Sequence, residues 1–275
     1  MSNKIICPVC PHHCALAEGQ TGRCRARANR DGRVVSLSYG RVTSVALDPV
    51  EKKPFYHWRS GEFILSVGTF GCNLSCAFCQ NAAISQVGAE TETEALPPER
   101  LASLAKELVP RGNIGAAFTY NEPLVGWEYV LDAAKLLRAG GLQVALVTNG
   151  TAEPQILETL LPFVDAMNID LKSWSAEAYK KLGGDLETVK RTITRAAASC
   201  HVEVTTLAAP GFGDDVVAMN EASAWLASVS EEIPLHISRY FPRWRMSDPM
   251  TPLVTIEKLC KTARRHLKYV YAGNC

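Results

Sequence analysis

The hydrophobic positions of the chain fall into short apolar runs that alternate with longer amphipathic segments. The runs have the length of β-strands, and the segments between them carry apolar residues three or four positions apart, as helices do. This alternation predicts the α/β class, with repeated β–α units, a parallel sheet and right-handed crossovers. The predicted strands are residues 63–68, 114–119, 142–147, 164–171, 202–208 and 235–241, with 268–271 as a further strand. The predicted helices are residues 99–109, 127–139, 154–161, 176–181, 186–199, 220–228 and 256–266.

The first 58 residues follow a different pattern. Residues 33–39 and 41–47 alternate apolar and polar positions around Gly40, which predicts a β-hairpin. The basic run 25–30 is expected to form a solvated face, with a substrate contact as the alternative. We therefore expect two domains: residues 1–58 as a cysteine-rich module with the hairpin, and residues 59–275 as the β–α units.

Composition and charge exclude several classes of function. The net charge of +1 gives no electrostatic reason to expect nucleic acid or an anionic membrane as a partner. No apolar run is long enough to span a bilayer, and the first residues contain no apolar signal region, so we do not expect secretion. Ten cysteines without an export signal favour metal binding over disulfides, in a reducing, cytoplasmic setting.

Cys72, Cys76 and Cys79 follow the predicted strand 63–68 with the spacing C-x3-C-x2-C. A closed zinc site needs four ligands, and an iron–sulfur cluster that only carries electrons also takes four thiolates. Three thiolates leave one iron open for a substrate or a cofactor. The alternatives are a zinc knuckle and a set of buried core thiols. The position favours the cluster, because the carboxyl ends of barrel strands are where active sites lie.

A second group of cysteines lies near the start of the chain, in the pattern C-x2-C-x3-C-x9-C. Four thiolates on a short, turn-rich segment predict a closed metal site, either zinc or a second iron–sulfur cluster. The alternative is that some of them are free thiols. A closed site would stabilise a module too small to build its own core, or would pass electrons if it held iron and sulfur. The four residues are Cys7, Cys10, Cys14 and Cys24.

Polar residues follow three of the predicted strands, where a barrel would carry its chemistry. Taken alone, Thr148 and Asn149 are typical of a turn. Two charges at Asp170 and Lys172 are costly in an apolar strand unless they form an ion pair or serve a function. His236 lies on the last of the six main strands, where it faces either a ligand or the core. The remaining strand-end candidates are Tyr120, Asn121 and Glu122.

The cysteine spacing resembles the signature of radical S-adenosylmethionine (SAM) enzymes. This resemblance implies an open, partial (βα)6 barrel. It also implies that the open iron of a [4Fe–4S] cluster binds SAM, and that one electron splits SAM into methionine and a 5′-deoxyadenosyl radical. In such enzymes the position of Phe78 contacts adenine, and Asn81 matches an asparagine of glycyl-radical-enzyme activases. The strand-end residues and His236 are then expected to lie near SAM. Tyr120 and Asn121 depart from the superfamily, which has two glycines there, and Val147 departs from the activases, which have an acid.

Nearly the whole chain resembles the AmmeMemoRadiSam family, which is related to proteins like pyruvate formate-lyase-activating enzyme. The motifs that carry this resemblance are Cys-Pro-x-Cys-Pro-x-x-Cys near the start, Lys53-Pro54-Phe55-Tyr56-His57, Gly68-Thr69-Phe70-Gly71-Cys72-Asn73, Phe78-Cys79-Gln80-Asn81, Phe118-Thr119-Tyr120-Asn121-Glu122-Pro123, Asn168-Ile169-Asp170-Leu171-Lys172 and His236-Ile237-Ser238-Arg239-Tyr240-Phe241-Pro242. The family name implies Memo-like or AMMECR-like protein partners.

The expected function is therefore hydrogen abstraction from a protein or peptide, as in an activase, with an external electron donor. The alternatives are a radical SAM enzyme that acts on a small metabolite, and a non-catalytic iron–sulfur or zinc adaptor. Arg239, Arg243 and Arg245, together with Tyr240 and Trp244, would contact an anionic or peptide substrate, or would form a solvated rim.

Overall fold

The computed structural model describes residues 4–275, so the first three residues of the predicted 1–58 module lie outside it. The strands are β1 (Ile5–Ile6), β2 (Ala15–Leu16), β3 (Arg27–Arg30), β4 (Arg33–Ser36), β5 (Arg41–Val42), β6 (Ser44–Pro49), β7 (Phe63–Gly68), β8 (Glu94–Ala95), β9 (Asn113–Phe118), β10 (Gln143–Thr148), β11 (Ala166–Asp170), β12 (His201–Ala208), β13 (Leu235–Arg239) and β14 (Val270–Gly273). The helices are α1 (Ala82–Ser85), α2 (Pro98–Glu107), α3 (Trp127–Ala139), α4 (Pro154–Leu160), α5 (Ala176–Leu182), α6 (Leu186–Ala197), α7 (Val216–Val229) and α8 (Leu253–Ala263).

Eight strands form the main sheet, in the order β14-β13-β12-β11-β10-β9-β7-β6. All neighbours are parallel except β6, which runs antiparallel to β7. Six β–α units run from β7 to α8, and β14 adds the further strand expected at the end. Within the described residues the edge strands β14 and β6 do not pair, so the sheet stays open. The α/β class and the partial parallel barrel are confirmed.

The two faces of the sheet are packed in different ways. Large residues such as Val144 and Leu146 of β10 belong to the core shared with the helices. Ala145, between them, lies in a separate cluster on the other face, together with Phe55. Burial on both faces explains why the strand reads as a nearly continuous apolar run. The small alanines leave space that the loop before β7 fills with its own side chains.

The hairpin predicted for residues 33–39 and 41–47 is wrong. The structure places the turn at Asp31 and Gly32, between β3 and β4. Both turn residues have positive φ, 52° and 71°, as the two-residue turn favoured between antiparallel strands requires. β6 pairs with β7 instead and joins the main sheet. The pairing crosses the expected boundary at residue 59, and the division into two domains stays a prediction.

A buried carboxylate holds the loop before β7 to the amino-terminal half of β12. Glu203 is fully buried and accepts hydrogen bonds from the backbone N–H groups of Tyr56 at 3.0 Å and His57 at 2.8 Å. Its carboxylate is also bonded to Nε2 of His201 at 3.0 Å and of His236 at 2.6 Å. Burial alone would raise the pKa of Glu203, but the four hydrogen bonds outweigh it and lower the pKa to about 2.

This carboxylate predicts a loss of stability in acid. The pKa of Glu203 in the folded chain lies below its ordinary value of 4.5, so the ionised carboxylate contributes its full stabilisation of the folded state above about pH 4.5. It is lost as the pH falls through about 2, and it amounts to about 3 kcal/mol in the free energy of unfolding. Urea unfolding at a series of pH values measures this loss. In Glu203→Gln the free energy of unfolding should change less with pH over the same acid range. An equal change in both proteins would contradict the assignment.

Within residues 4–275, no helix combines the length and the apolar character that crossing a bilayer requires.

Candidate active site

The loop after β7 carries the three cysteines of the C-x3-C-x2-C pattern. Cys76 is buried, and Cys72 and Cys79 are partly buried. They pack in one cluster with Leu74, Phe78, Leu182, Ala209 and Tyr240. Burial raises the pKa of Cys76 to about 11 and that of Cys72 well above its ordinary value, while the charge of Lys172 acts in the opposite direction. These thiols therefore need a metal to stabilise their ionised form.

The sulfur atoms of this loop have hydrogen-bond partners. The backbone N–H of Leu74 donates to Sγ of Cys72 at 3.4 Å, and the side-chain amide of Asn149 donates to the same atom at 3.6 Å. Sγ of Cys79 lies 3.2 Å from Oγ of Ser85. Hydrogen bonds to sulfur are one means by which proteins tune iron–sulfur clusters. Three soft donors in these surroundings fit a [4Fe–4S] cluster with one open iron. Among the described residues, no three His, Cys, Asp or Glu side chains converge closely enough to hold a single metal ion.

Glu122 connects the loop after β9 to the end of β10. Its carboxylate accepts from Oγ1 of Thr148 at 2.6 Å, from N–H of Asn149 at 2.7 Å and from N–H of Leu124 at 3.0 Å. Burial raises the pKa of Glu122 to about 7, although these hydrogen bonds oppose the shift. Asn149 continues the network to Oδ1 of Asn73 at 2.9 Å. The predicted residues at the ends of β9 and β10 therefore lie together, beside the cysteines.

Asn121 holds the cysteine loop from the other side. Its amide accepts from N–H of Thr69 at 2.9 Å and donates to the carbonyl of Gly71 at 3.0 Å. Asn81, just after the third cysteine, donates to the carbonyl of Tyr120 at 2.8 Å. Asn81, Tyr120 and Asn121 thus fix the position of the cysteine loop relative to β9.

Tyr120 is supported by an ion pair that the sequence did not indicate. Its hydroxyl donates to Oδ2 of Asp48 at 2.9 Å, and Nζ of Lys53 lies 2.9 Å from the same oxygen and 4.4 Å from the centre of the Tyr120 ring. The side chain of Lys53 is only 5% exposed. Tyr120 has a positive φ of 72°, which is uncommon for a residue with a large side chain. The pair between Asp48 and Lys53 helps to hold this conformation.

Removing the buried member of this pair should cost stability. We expect Lys53→Met to lower the free energy of unfolding by about 2 kcal/mol, because it takes a charged partner from the buried carboxylate of Asp48. Lys52→Met is the matched control: Lys52 bonds the same carboxylate at 3.1 Å, but its side chain is 66% exposed. Its loss should cost less than about 1 kcal/mol. Urea unfolding of both variants measures the difference, and equal costs would contradict this role of Lys53.

Asp170 and Lys172, at the end of β11, pair with each other. Nζ of Lys172 lies 3.0 Å from Oδ2 of Asp170. Burial would lower the pKa of Lys172, but the charge of Asp170 outweighs it and raises the pKa. The pair lies near the cysteines, since the charges of both residues act on Cys76. The ion pair foreseen as an alternative is therefore formed, and it is close to the cysteine loop.

Phe78 and His236 differ in where they lie. Phe78 is in the cluster around the cysteines, and its ring meets that of Phe212 edge to face, with centroids 5.2 Å apart. His236 is the second residue of β13, in the amino-terminal part of that strand, and it is bonded to Glu203. The structure does not bring His236 together with the other predicted ligand-binding residues.

The amino-terminal cysteines lie against the other side of the same loop. Cys7, Cys10 and Cys24 are buried, and Cys14 is partly buried. N–H of Cys7 donates to the carbonyl of Cys14 at 3.0 Å, and N–H of Arg23, next to Cys24, donates to Sγ of Cys14 at 3.5 Å, so the segments that carry these cysteines lie close together. The carbonyl of Cys24 accepts from N–H of Cys72 at 3.1 Å.

Comparison with known families agrees with this geometry. A family model described as the radical SAM superfamily matches residues 66–221, which is more than half of the chain. This chain belongs to the radical SAM superfamily. The matched range begins at the end of β7 and includes the three cysteines, Glu122, Asn149 and Asp170. Membership implies a [4Fe–4S] cluster and SAM as cofactors.

The relatives of this radical SAM protein match very different lengths of its chain. An uncharacterized protein of Methanocaldococcus jannaschii is 37% identical over 278 residues, which cover 99% of this chain and 82% of that protein. Pyruvate formate-lyase-activating enzyme of Listeria monocytogenes is 27% identical over 118 residues, which cover 41% of this chain and 48% of that enzyme. The predicted relation to these activating enzymes is confirmed, while the AmmeMemoRadiSam assignment stays a prediction.

Solved structures with a similar fold have low sequence identity to this chain, as one example shows. Streptococcus suis SuiB bound to the precursor peptide SuiA has a TM-score of 0.57 with 12% identity, covering 74% of this chain and 47% of that chain. At this identity the likeness concerns the fold alone.

Proposed function

We propose that the protein cleaves SAM reductively at a [4Fe–4S] cluster held by Cys72, Cys76 and Cys79, and that it abstracts a hydrogen atom from a protein or peptide. The observation that carries this proposal is the three-cysteine loop at the carboxyl edge of an open parallel sheet, within the range that matches the radical SAM superfamily. When bound, the cluster would supply the electron that breaks the bond between the SAM sulfur and C5′.

The residues around the loop have the chemistry that SAM requires. Its ammonium group needs carboxylates and carbonyls, its carboxylate needs a cation, and its ribose needs hydrogen-bonding groups. Lys172 offers a cation held by Asp170, and Phe78 offers an aromatic face for adenine. We assign His236 to support of the sheet, since its bond to Glu203 holds it there. The residues proposed to contact or position SAM are Phe78, Asn81, Tyr120, Asn121, Glu122, Thr148, Asn149, Asp170 and Lys172.

A peptide or protein substrate is supported by the surface beside the cysteine loop. N–H of Arg245 donates to the carbonyl of Ala77, which joins the segment after β13 to this loop. Trp244 is 42% exposed there, with Arg243 and Arg245 on either side. Exposed aromatic and arginine side chains are typical of protein interfaces. The similarity to activating enzymes points the same way. Memo-like or AMMECR-like partners, an external electron donor and a cytoplasmic setting stay expectations.

Anaerobic reconstitution with iron and sulfide, followed by addition of dithionite and SAM, tests the proposed chemistry. We expect 5′-deoxyadenosine to form even without the substrate, because cleavage precedes abstraction from the substrate and the radical then takes its hydrogen atom from buffer components or from the protein itself. A protein that binds iron but forms no 5′-deoxyadenosine would be an adaptor. If a partner polypeptide is then added, an activase produces a glycyl-radical signal in electron paramagnetic resonance.

A further inference from the structure

The four amino-terminal cysteines and the three cysteines of the proposed active site lie on two segments that touch directly. N–H of Cys72 donates to the carbonyl of Cys24 at 3.1 Å, so a cysteine of each group shares one backbone hydrogen bond. Sγ of Cys24 and Sγ of Cys72 are therefore connected by the covalent bonds of these two residues and that single hydrogen bond. This is a short, continuous path through bonded atoms.

A second connection runs through Asn73, the residue that follows Cys72. The amide of Asn149 donates both to Oδ1 of Asn73 at 2.9 Å and to Sγ of Cys72 at 3.6 Å. Nε2 of His12 also lies 2.9 Å from the carbonyl of Asn73. Cys24 and His12, which lies between Cys10 and Cys14, thus contact the backbone of the catalytic cysteine loop at Cys72 and Asn73.

The close approach depends on a glycine. Gly71 has a φ of 87°, and a Cβ atom there would lie 2.5 Å from the carbonyl oxygen of Cys24 and 2.8 Å from Cβ of Ala26. Any other residue at this position would separate the segments or strain the backbone. Glycine at this position therefore lets the backbone segments of Cys24 and Cys72 come within hydrogen-bond distance.

The amino-terminal segment is also held rigidly against the barrel. Arg27 is 3% exposed, and its guanidinium forms two hydrogen bonds with the carboxylate of Glu128 on α3, at 2.8 and 2.6 Å. It donates a third to the carbonyl of Val125 at 3.0 Å. The expectation that the run 25–30 forms a solvated face is wrong for this residue. A bidentate arginine pair fixes geometry as well as adding binding energy, so the distance between the two cysteine groups is fixed.

We propose that Cys7, Cys10, Cys14 and Cys24 hold an iron–sulfur cluster that delivers electrons to the cluster of Cys72, Cys76 and Cys79. The proposal rests on the proposed function. A cluster held by these four cysteines would accept one electron from a reduced protein of the flavodoxin or ferredoxin class. It would then give that electron to the oxidised catalytic cluster and return to its own oxidised state, with no proton transferred.

The position of the four cysteines favours this function over a zinc staple. Four thiolates suit zinc and iron–sulfur clusters equally. Zinc has no redox chemistry, and a purely structural ion has no need of contact with the catalytic cysteines. Cys14 is only partly buried, which gives an external donor access to this side of the module.

The first test isolates the amino-terminal site. The triple variant Cys72→Ala, Cys76→Ala, Cys79→Ala leaves all four of its cysteines in place. After anaerobic reconstitution we expect iron and acid-labile sulfide in equal amounts, at a level below that of the unmodified protein. Reduction should then give a paramagnetic cluster signal. One zinc ion per chain, with neither iron nor sulfide, would overturn the proposal.

The second test follows electron delivery in the variants Cys10→Ser and Cys24→Ser, with Cys200→Ser as the matched control away from both groups. We expect 5′-deoxyadenosine formation to be lost with reduced flavodoxin and retained with dithionite, which is small enough to reduce the catalytic cluster directly. Unchanged rates with flavodoxin, or equal losses with both reductants while the catalytic cluster is still present, would overturn the relay. If either serine variant fails to fold, electron paramagnetic resonance of the reduced, unmodified protein takes the place of this test. Two neighbouring clusters should couple and broaden each other's signals. Narrow, independent signals would overturn the proposal.

Failure of the proposed function has a different signature. In that case the unmodified protein forms no 5′-deoxyadenosine with dithionite, whatever the triple variant binds. The metal content of the triple variant then still decides whether the amino-terminal group holds an iron–sulfur cluster.

Discussion

Replacing Cys76 with alanine is expected to abolish the catalytic cluster and, with it, all detectable cleavage of SAM. Cys76 is buried and packs with Leu74, Phe78 and Tyr240. Among the described residues, the only other thiols in this cluster are those of Cys72 and Cys79, which are themselves cluster ligands. A cluster already held by only three thiolates cannot lose one and keep an iron open for SAM. The measurements are iron content, the cluster absorption band and 5′-deoxyadenosine after addition of dithionite.

The matched control for this change is Cys260→Ala. Cys260 is also a buried free thiol, but it packs in the main core on α8 and not with the cysteine loop. We expect this variant to lose some stability, as a core truncation does, and to cleave SAM at the unmodified rate. If Cys76→Ala and Cys260→Ala cleave SAM equally, the assignment of the loop after β7 as the cluster site fails.

The repeated elements of the fold could be predicted from the sequence because their periodicity is strong. The helix at 127–139 was predicted with the bounds that the structure has, since its apolar stripe faces the core and Gly140 ends it. The start of α7 was missed by four residues. There Asp215 caps the helix through its side chain, but the exposed Val216 and Val217 hide the amphipathic pattern.

The misplaced hairpin has a different cause. Local alternation predicted that residues 41–47 would pair with the segment just before them, but β6 pairs with β7, which lies further along the chain. Alternation indicates that a strand is half buried and does not indicate its partner. The Asp31-Gly32 turn was the stronger local signal, because it favours positive φ at both positions.

The strand-end residues were found because a parallel sheet brings its carboxyl ends to one edge. Contacts made by residues outside that edge could not be found in this way. Asp48 and Lys53 precede β7, and only the folded chain brings them to Tyr120. Asn73 lies inside the cysteine motif, yet its contacts with His12 and Asn149 depend on how the amino-terminal module docks. His236 was placed with the ligand-binding residues by its strand alone, and its position along that strand puts it beside Glu203 instead.

Replacing Glu203 with alanine should produce the largest loss of stability among single changes outside the cysteine loop. The change leaves the N–H groups of Tyr56 and His57 without the acceptor they have in the folded chain, and it removes the partner of His236. Removing one member of a buried charged network costs about 3–5 kcal/mol in the free energy of unfolding. Urea unfolding at neutral pH measures this cost, and Glu221→Ala, a change to an exposed carboxylate on α7, is the control.

The effect of Glu203→Ala should extend to the active site through the loop before β7. Tyr56 and His57 follow Lys53, and Lys53 supports Asp48 and Tyr120 beside the cysteines. Once this loop is released, we expect SAM to bind more weakly even under conditions where the variant remains folded and retains its iron. Glu203→Gln keeps one acceptor oxygen and should fall between the two proteins in both stability and SAM affinity. If the variant loses stability while its SAM affinity stays unchanged, the role of Glu203 is limited to the amino-terminal half of the sheet. If the loss in the free energy of unfolding is below about 1 kcal/mol, the buried network itself is contradicted.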